Sequence, residues 1–385
     1  MEALEPISRR AFVRVGGVGS VAAATLACAL TAAPAPGGEA PSGTAKTGWE
    51  KEWDGLVGAA KKEGTLALVT TAGGNFRNAA DEFEKAFPGV RVELTSMIAS
   101  TFGPRVLQER KGSIYNYDVF TSTYGTVALT MIPEGALDPV RPLIFRPDVL
   151  DDKSWQGGFE RGFLDNDEKW AYGGFAEVFR AIWVNSDIIK EGEIKTFDDL
   201  LNPKYKGKIV SGDPRNHGGG WWPATALRLR RGEAAMRKFY KDQELVFSRD
   251  QRQMMDFIIK GTYWFGSGPV LETLLADYNQ QGVGQKLKYI PIDELDNLNH
   301  GSNVVYYFNR SPHPNAAKLF INWVLTKDGA ALWAKHAETN SRRTDVAPSK
   351  PENAPDPKRN LIEMDRQELQ NEWVKTQDLA KAWFS

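Results

Sequence analysis

The sequence predicts an α/β protein in which mostly parallel sheets are flanked by helices and form two units in tandem. Between residues 65 and 135, a short apolar strand, a loop and a helix follow one another three times. This succession is typical of a parallel sheet covered by helices. A second series of strands and helices begins near residue 179, and a chain of 385 residues is long enough for two domains.

The first unit begins near Trp49, and its first predicted strand is TLALVT at residues 65–70. The next helix ends at Pro88, and five apolar residues share one of its faces: Phe76, Ala79, Ala80, Phe83 and Phe87. Two further strands, VRVELTSM and YDVFTST, each precede a helix, TFGPRVLQERKG and YGTVALTMIPEG. The first unit therefore contains three strand–helix pairs.

The second unit begins with the apolar strand FRAIWVN at residues 179–185. Its further elements are a short helix capped by Thr196, the strand GKIVSG, a helix opened by the loop DPRNHGGGWW, a capped helix over 248–260, the strand TYWFGSG, the helix PVLETLLADYNQQG and the strand KLKYIPI. The strand NVVYYFN at 303–309 then precedes two amphipathic helices. We expect the chain to cross between the units near 179–185 and 303–308.

The N-terminus has the layout of a cleavable export signal over residues 1–33. Arg9 and Arg10 precede an uncharged run, and SRRAFV resembles the twin-arginine motif with Val13 where Leu is usual. A permanent anchor is the alternative, but the many small residues and the helix-breaking APAPGG favour cleavage. Residues 34–47 are rich in Pro, Gly, Ser and Ala and predict a linker. We expect a periplasmic protein.

Cys28 is the single cysteine, and it lies inside the predicted signal in a marginal lipoprotein box. The mature chain therefore has either no cysteine or one that carries a lipid anchor. Disulfides and cysteine-based sites are excluded for the folded part.

Charge and motifs argue against nucleic-acid binding and catalysis. The formal net charge is −1, so the chain as a whole attracts neither nucleic acid nor anionic lipid. It contains no G-x-S-x-G elbow, no complete phosphate-binding loop and no complete dinucleotide fingerprint. The mature histidines lack the spacing of metal ligands. We expect no catalytic residues, no cofactor and no bound metal.

Three segments carry a resemblance that covers nearly the whole mature chain: EGTLALVTTAGGNFRNAADEFEKAFPGVRVELTS, IWVNSDIIKEGEIKTFDDLLNPKYKGKIVSGDP and SPHPNAAKLFINWVLTKDGAALWAK. They resemble the periplasmic solute-binding proteins of bacterial ABC importers, in the branch that includes ferric-iron, thiamine and small-anion binders. The resemblance implies a type II fold with two lobes and a hinge. A small molecule would be captured in the cleft by closure and passed to the permease subunits, with the protein acting as a monomer.

The same resemblance divides the chain into two discontinuous lobes. Lobe I would comprise residues 48–175 plus 300–346, and lobe II residues 176–299 plus 347–385. Ligands of parallel sheets bind at the carboxyl ends of the strands, so the candidate residues are sought there.

On lobe I, we favour four residues at strand ends as ligand contacts: Thr71, Gly73, Ser122 and Tyr124. In TTAGGN, hydroxyls and unobstructed amides follow the strand directly. The same segment also makes a tight turn in which Asn75 caps the next helix, and both roles are compatible.

On lobe II, Gly219, Gly220 and Trp221 are the leading candidates. Glycines at the start of a helix leave backbone N–H groups open, and the helix dipole favours an anionic group there. A merely flexible loop is the alternative. Trp221 and Trp222 point about 100° apart on a helix, so at most one of them faces the cleft.

Four further candidates depend on the family resemblance: Glu177, Ser267, Tyr306 and Arg342. NSRRTDVAPS is similar to the late cleft-edge segment, where Arg342 or Arg343 would clamp a carboxylate, or else form a solvated surface pair. Glu177 lies in the expected hinge strand. Ser267 lies between two glycines where the ferric binders have a tyrosine pair.

Tyr306 and Tyr307 are adjacent in a strand, so their side chains face opposite ways and cannot both hold one ion without distortion. One ring is expected in the core and the other, Tyr306, along the cleft. The leading hypothesis is therefore the capture of a small polar or anionic organic molecule. Ferric-ion or ferric-chelate binding is the alternative, and a secreted hydrolase is the third hypothesis.

Overall fold

A computed structural model describes residues 48–71, 75–97, 99–216, 219–268 and 272–384. The predicted export signal, the linker, Cys28 and Gly73 lie outside these residues. Within the described ranges, no helix has the length and apolar character needed to cross a membrane.

The helices are α1 (Gly48–Glu63), α2 (Phe76–Ala86), α3 (Ala99–Lys111), α4 (Tyr124–Thr130), α5 (Pro147–Leu150), α6 (Trp221–Arg237), α7 (Gln251–Ile259), α8 (Glu272–Gln280), α9 (Pro314–Leu325), α10 (Lys327–Ala337) and α11 (Gln370–Trp383). The strands are β1 (Thr65–Thr70), β2 (Arg91–Ser96), β3 (Val119–Ser122), β4 (Leu137–Asp138), β5 (Tyr172–Gly173), β6 (Glu177–Phe179), β7 (Ile182–Asn185), β8 (Ile209–Gly212), β9 (Val246–Ser248), β10 (Phe265–Ser267), β11 (Leu287–Ile290), β12 (Asn297–Asn299), β13 (Val304–Phe308) and β14 (Ile362–Glu363).

The first sheet has the order β2-β1-β3-β13-β4, and β5 also pairs with β13. We call this sheet and its helices lobe I. β1 is parallel to β2 and β3, whereas β13 arrives from the far end of the chain and is antiparallel to β3. The parallel strands therefore end at one rim, where Thr70, Ser96 and Ser122 lie.

The second sheet has the order β11-β7-β10-β8-β9, and we call it and its helices lobe II. β8 is parallel to its neighbours β10 and β9, with Ser211 opposite Ser267 and Gly212 opposite Ser248. β7 and β11 are the antiparallel members. The carboxyl ends of β8, β9 and β10 thus meet at one edge.

A third sheet joins the lobes, in the order β14-β12-β6, and we call it the connecting sheet. Along the chain, β6 follows β5 of lobe I and precedes β7 of lobe II. In the same way, β12 follows β11 of lobe II and precedes β13 of lobe I. The two strands are antiparallel, with Leu298 opposite Val178. The chain therefore crosses just before the two predicted crossing strands, because β7 and β13 are already members of the lobe sheets.

Each lobe has its own core. In lobe I, α1 packs beside α9, and Phe83 packs against Phe320 with a centroid distance of 5.3 Å. In lobe II, Phe197 packs against Phe239 at 5.7 Å. Tyr306 belongs to the apolar cluster on one face of the lobe I sheet and Tyr307 packs against the cluster on the other face, as the alternation along a strand requires.

Two local predictions differ from the structure. The helix expected over 248–260 begins at Gln251, because Val246–Ser248 forms β9 and the Asp250 side chain accepts a hydrogen bond from the Gln253 amide. The short helix after Thr196 is a 3-10 turn over Asp198–Leu201. The C-terminal residues, which had no predicted element, form β14 and α11.

The C-terminal segment contacts both lobes. The Gln367 amide donates to the Leu164 carbonyl of lobe I at 2.9 Å. Farther along, Arg228 of α6 donates to the Thr376 hydroxyl of α11 at 2.9 Å. The two lobes are thus linked by the C-terminal segment as well as by the crossing strands.

Candidate functional site

A cavity of about 200 Å³ lies where β8, β9 and β10 end and where α6 and α7 begin. We call it the strand-end pocket. The residues that carry its chemistry are Asp213, Gly219, Gly220, Ser248, Arg249 and Gly268. The carboxyl edge of a parallel sheet is where ligands of open α/β sheets bind.

The floor of the strand-end pocket is backbone packed on backbone. A Cβ at Gly220 would lie 2.0 Å from the carbonyl oxygen of Gly212, and a Cβ at Gly268 would lie 2.1 Å from that of Gly219. Gly268 also has a φ of +71°, in the left-handed region that favours glycine. Glycine is therefore required here for close approach, and the loop is not merely flexible.

The start of α6 supplies hydrogen-bond donors to this pocket. Gly220 occupies the N-cap position, and no side chain caps the helix there. The N–H groups of the first turn lack intrahelical partners and carry the positive end of the helix dipole. The neighbouring helix α7 is different, because the Asp250 side chain already caps it. An anionic group is therefore favoured at α6 in particular.

Two arginines lie around a buried carboxylate at this pocket. The buried Asp213 carboxylate pairs with Arg215 at 2.9 Å and lies 3.4 Å from the Arg249 guanidinium. Burial opposes ionisation of Asp213, but the hydrogen bonds from Arg215 outweigh it, so its pKa lies below the usual range. Two cations thus surround one carboxylate. The exposed Arg249 is placed to meet an anion at the pocket mouth.

The structure brings together two of the predicted lobe II residues, Gly219 and Gly220. Ser267 is fully buried at the end of β10. Trp221 is buried and donates from Nε1 to the Trp373 carbonyl, whereas Trp222 is half-buried and packs against Phe179. His217 and Gly218 lie outside the described residues.

The predicted lobe I residues lie at the rim of their sheet. Ser122 ends β3 and is buried, and Thr71 directly follows β1 and is half-buried. Tyr124 begins α4 and is also buried, and its burial raises the pKa of the phenol well above the usual value. Their contact with a ligand stays a prediction.

Tyr306, Glu177 and Arg342 lie away from the strand-end pocket. Tyr306 was expected to line the cleft, but the structure buries it completely in the apolar cluster on one face of the lobe I sheet, and its hydroxyl donates to the carbonyl of Thr123 at 3.2 Å. Glu177 accepts a hydrogen bond from the Asn353 side chain at 2.8 Å. Arg342 is buried and donates to two backbone carbonyls, so it is not part of a solvated arginine pair.

Metal-binding groups are not clustered in the described residues. Nowhere in the ranges that the structure describes do three His, Cys, Asp or Glu side chains come together as a group able to hold a metal ion. The two adjacent tyrosines Tyr306 and Tyr307 point to opposite faces of β13.

Sequence reasoning missed Asp213, Ser248 and Arg249, which the structure places at the strand-end pocket. Ser248 and Arg249 were assigned to the first turn of a helix, although VFS is a strand that pairs with β8. The sequence does contain a signal for this boundary, namely Asp250. An N-cap residue marks the start of its helix, so the segment before Asp250 lies outside α7.

A family model described as bacterial extracellular solute-binding protein matches residues 67–331. Among curated protein sequences, none matches the chain significantly.

Solved structures share the architecture at low sequence identity. A Trichodesmium protein, IdiA or FutA, in complex with iron and citrate has a TM-score of 0.63 at 17% identity, covering 82% of this chain and 99% of that one. Ferric iron-binding protein A of Mannheimia haemolytica, in an open conformation, has a TM-score of 0.63 at 15% sequence identity, covering 83% of this chain and 98% of that one. AfuA of Actinobacillus pleuropneumoniae with fructose-6-phosphate has a TM-score of 0.53 at 19% sequence identity, covering 82% of this chain and 99% of that one. These likenesses confirm the predicted two-lobed fold.

Proposed function

Because the chain belongs to the bacterial extracellular solute-binding protein family, we propose that it captures a small anionic organic molecule and delivers it to the permease of an ABC importer. The strand-end pocket is the observation that carries this proposal. Its uncapped helix start and its two arginines around one carboxylate favour a negatively charged group.

Capture requires that the ligand contact both lobes, since only then does it bind the closed state more tightly than the open one. The strand-end pocket supplies the lobe II contacts. The rim that contains Thr71, Ser122 and Tyr124 is proposed to supply those of lobe I. The connecting sheet, through which the chain passes twice between the lobe sheets, is the proposed hinge.

The ligand class has support from the related structures. Citrate, which is named together with iron for one of them, and fructose-6-phosphate, which is named for another, are both small anionic molecules. A carboxylate or a phosphate monoester would accept hydrogen bonds from the first turn of α6 and from Arg249.

The cellular setting follows from the family and from the N-terminal sequence. We propose export through the twin-arginine-like signal, release into the periplasm or attachment through a lipid on Cys28, and function as a monomer beside the permease subunits. No catalytic step is proposed.

A thermal-shift screen tests the ligand class. The panel contains organic acids, sugar phosphates, phosphonates, thiamine and ferric salts. A bound ligand at about 100 times its dissociation constant should stabilise the protein by ~2.7 kcal/mol. We expect the largest shift with an organic anion. A shift with ferric salts alone would overturn the proposal in favour of iron capture.

A further inference from the structure

A second cavity, of about 260 Å³, lies beside the connecting sheet. We call it the connecting-sheet pocket. Its walls come from lobe I through Arg161 and Arg342, from the connecting sheet through Leu298 and Glu363, and from the C-terminal segment between Pro355 and Leu361. It shares no lining residue with the strand-end pocket.

Arg342 is the unusual group in this cavity. The residue is 4% exposed, and its guanidinium donates to the carbonyl oxygens of Gly173 at 3.1 Å and Gln156 at 2.6 Å. No ion pair joins it to a carboxylate in the described part of the chain. Two neutral acceptors leave most of its five N–H groups available and its charge uncompensated at close range. Burying such a charge costs free energy unless an anion pairs with it.

The other arginines that line the pocket are paired. Arg161 lies 3.0 Å from Glu363, and Arg359 lies 2.6 Å from each of Asp293 and Asp296. Glu363 is itself shared, because Arg366 also lies 3.0 Å from it. Glu363 is thus already engaged by two other cations, and Asp356 is the other carboxylate that lines the pocket. Neither forms an ion pair with Arg342 in the described part of the chain.

A buried histidine in the pocket wall faces a carboxylate. The His300 ring also lines the pocket and is almost fully buried. Its Nδ1 lies 3.4 Å from Asp365 Oδ2, within ion-pair range, but has no hydrogen-bond partner among the described residues. Its Nδ1 is directed at Asp365, so Arg342 remains the buried cationic group of this pocket without a carboxylate partner.

We propose that the connecting-sheet pocket binds a small oxyanion, a carboxylate or a phosphate, with Arg342 as its main cationic partner. The planar guanidinium matches two oxygens of either group. This is a site additional to the one for the transported solute, and its chemistry does not depend on which solute the strand-end pocket takes.

Occupancy of this pocket would restrict the movement of one lobe against the other. Arg161 and Arg342 belong to lobe I, whereas β12 and β14 belong to the connecting sheet, and the Met364 amide donates to the Leu298 carbonyl at 2.9 Å. An anion held between these walls stabilises one arrangement of them. The site therefore acts as an anion-dependent brake on the connecting sheet.

The test uses a Gly219→Val background, in which the strand-end pocket is altered, and inorganic phosphate or acetate as separate probes. Phosphate or acetate should raise the melting temperature of this variant. Adding Arg342→Gln should abolish the shift. Adding Arg161→Gln, a change at an exposed side chain, should raise the dissociation constant for phosphate or acetate about tenfold. The matched control is Arg141→Gln, which removes another exposed lobe I arginine paired with a glutamate, Glu160, and should leave the shift unchanged.

Hydrogen exchange locates the bound anion. The amides of β12 and β14 should exchange more slowly with phosphate or acetate present. An unaltered shift in the Arg161→Gln variant overturns the proposal, as does binding without protection of β12 and β14. Absence of any shift with both probes also overturns it. None of these outcomes bears on the strand-end pocket, whose ligands are measured in the wild-type chain.

Discussion

The indole Nε1 of Trp221, the first residue of α6, donates a hydrogen bond of 2.9 Å to the backbone carbonyl of Trp373 in α11. The two rings pack with centroids 5.0 Å apart and an angle of 67° between their planes. A Cβ at Gly125, in α4 of lobe I, would lie 3.0 Å from the Trp373 ring. Trp373 therefore joins the helix start that forms the strand-end pocket to a helix of lobe I.

Replacing Trp373 with alanine should destabilise the protein by ~3–5 kcal/mol, because a buried indole is lost and leaves a cavity. The change should also weaken anion binding, since the start of α6 loses its support. Urea unfolding measures the first effect and calorimetric titration the second. Val374→Ala is the control, because that neighbouring side chain is exposed. Equal stability of the two variants would contradict this role of Trp373.

Replacing Gly220 with alanine should lower the free energy of unfolding by ~1–3 kcal/mol, because the new methyl group overlaps the Gly212 carbonyl. Gly55→Ala provides the opposite case. Gly55 lies inside α1 with nothing within 4 Å of an added Cβ, so alanine should stabilise the protein by ~0.5–1 kcal/mol. Denaturant unfolding should show that the free energy of unfolding falls in Gly220→Ala and rises in Gly55→Ala, relative to the wild type. A neutral Gly220→Ala would show that the pocket floor is not closely packed.

Glu193 should contribute a pH-dependent part of stability. Hydrogen bonds from the Lys204 side chain, the Lys190 amide and the Tyr205 hydroxyl lower its pKa from 4.5 to about 2. The folded state therefore holds this proton less tightly than the unfolded state. The stabilisation is present above pH 4.5 and is lost as the pH falls towards 2.

Unfolding experiments across this pH range check the prediction. The difference in unfolding free energy between wild type and Glu193→Gln should shrink as the pH falls. Glu191→Gln, which makes the same charge change at a nearby exposed residue, is the matched control. A constant difference for Glu193→Gln would show that the Lys204 contact does not persist in solution.

Arg249 should contribute directly to anion affinity. Arg249→Gln removes a positive charge at the strand-end pocket. We expect it to weaken anion binding, so that the dissociation constant rises about tenfold. Arg252→Gln makes the same charge change three residues later, at an exposed arginine that does not line the pocket. Titration calorimetry with the best anion of the screen compares them. Equal losses in both variants would indicate a general charge effect and no specific contact.

The strands of both lobes and the glycines at the start of α6 could be predicted from the sequence because their signals are local. Buried strands such as β1 and β13 are continuous apolar runs, and a helix start follows from glycine and proline positions. The parallel pairing of β8 with β10 follows from repeated strand–helix units.

The remaining parts depend on contacts between distant residues. α1 packs on α9, and α11 packs on α6. Because α1 and α11 depend on these contacts with distant parts of the chain, their own sequences do not mark them as helices. Asp213 and Arg249 meet because β8 and β9 are neighbours in the sheet, an order that local patterns do not contain. The burial of Tyr306 likewise depends on residues far away in the chain, since its ring packs against that of Phe120 and its hydroxyl donates to the carbonyl of Thr123.

The affinity of Gly219→Val for the best-binding anion tests the central claim most directly. Gly219 lines the strand-end pocket beside the start of α6. A β-branched side chain there should obstruct the approach of an anionic group to the helix amides. Titration calorimetry should show that the binding of this anion to the wild-type protein is lost in Gly219→Val, with the unfolding transition preserved. Any binding that remains should be at the connecting-sheet pocket and should be removed by Arg342→Gln. An unchanged dissociation constant in the folded variant would contradict the assignment of this pocket as the anion-binding site.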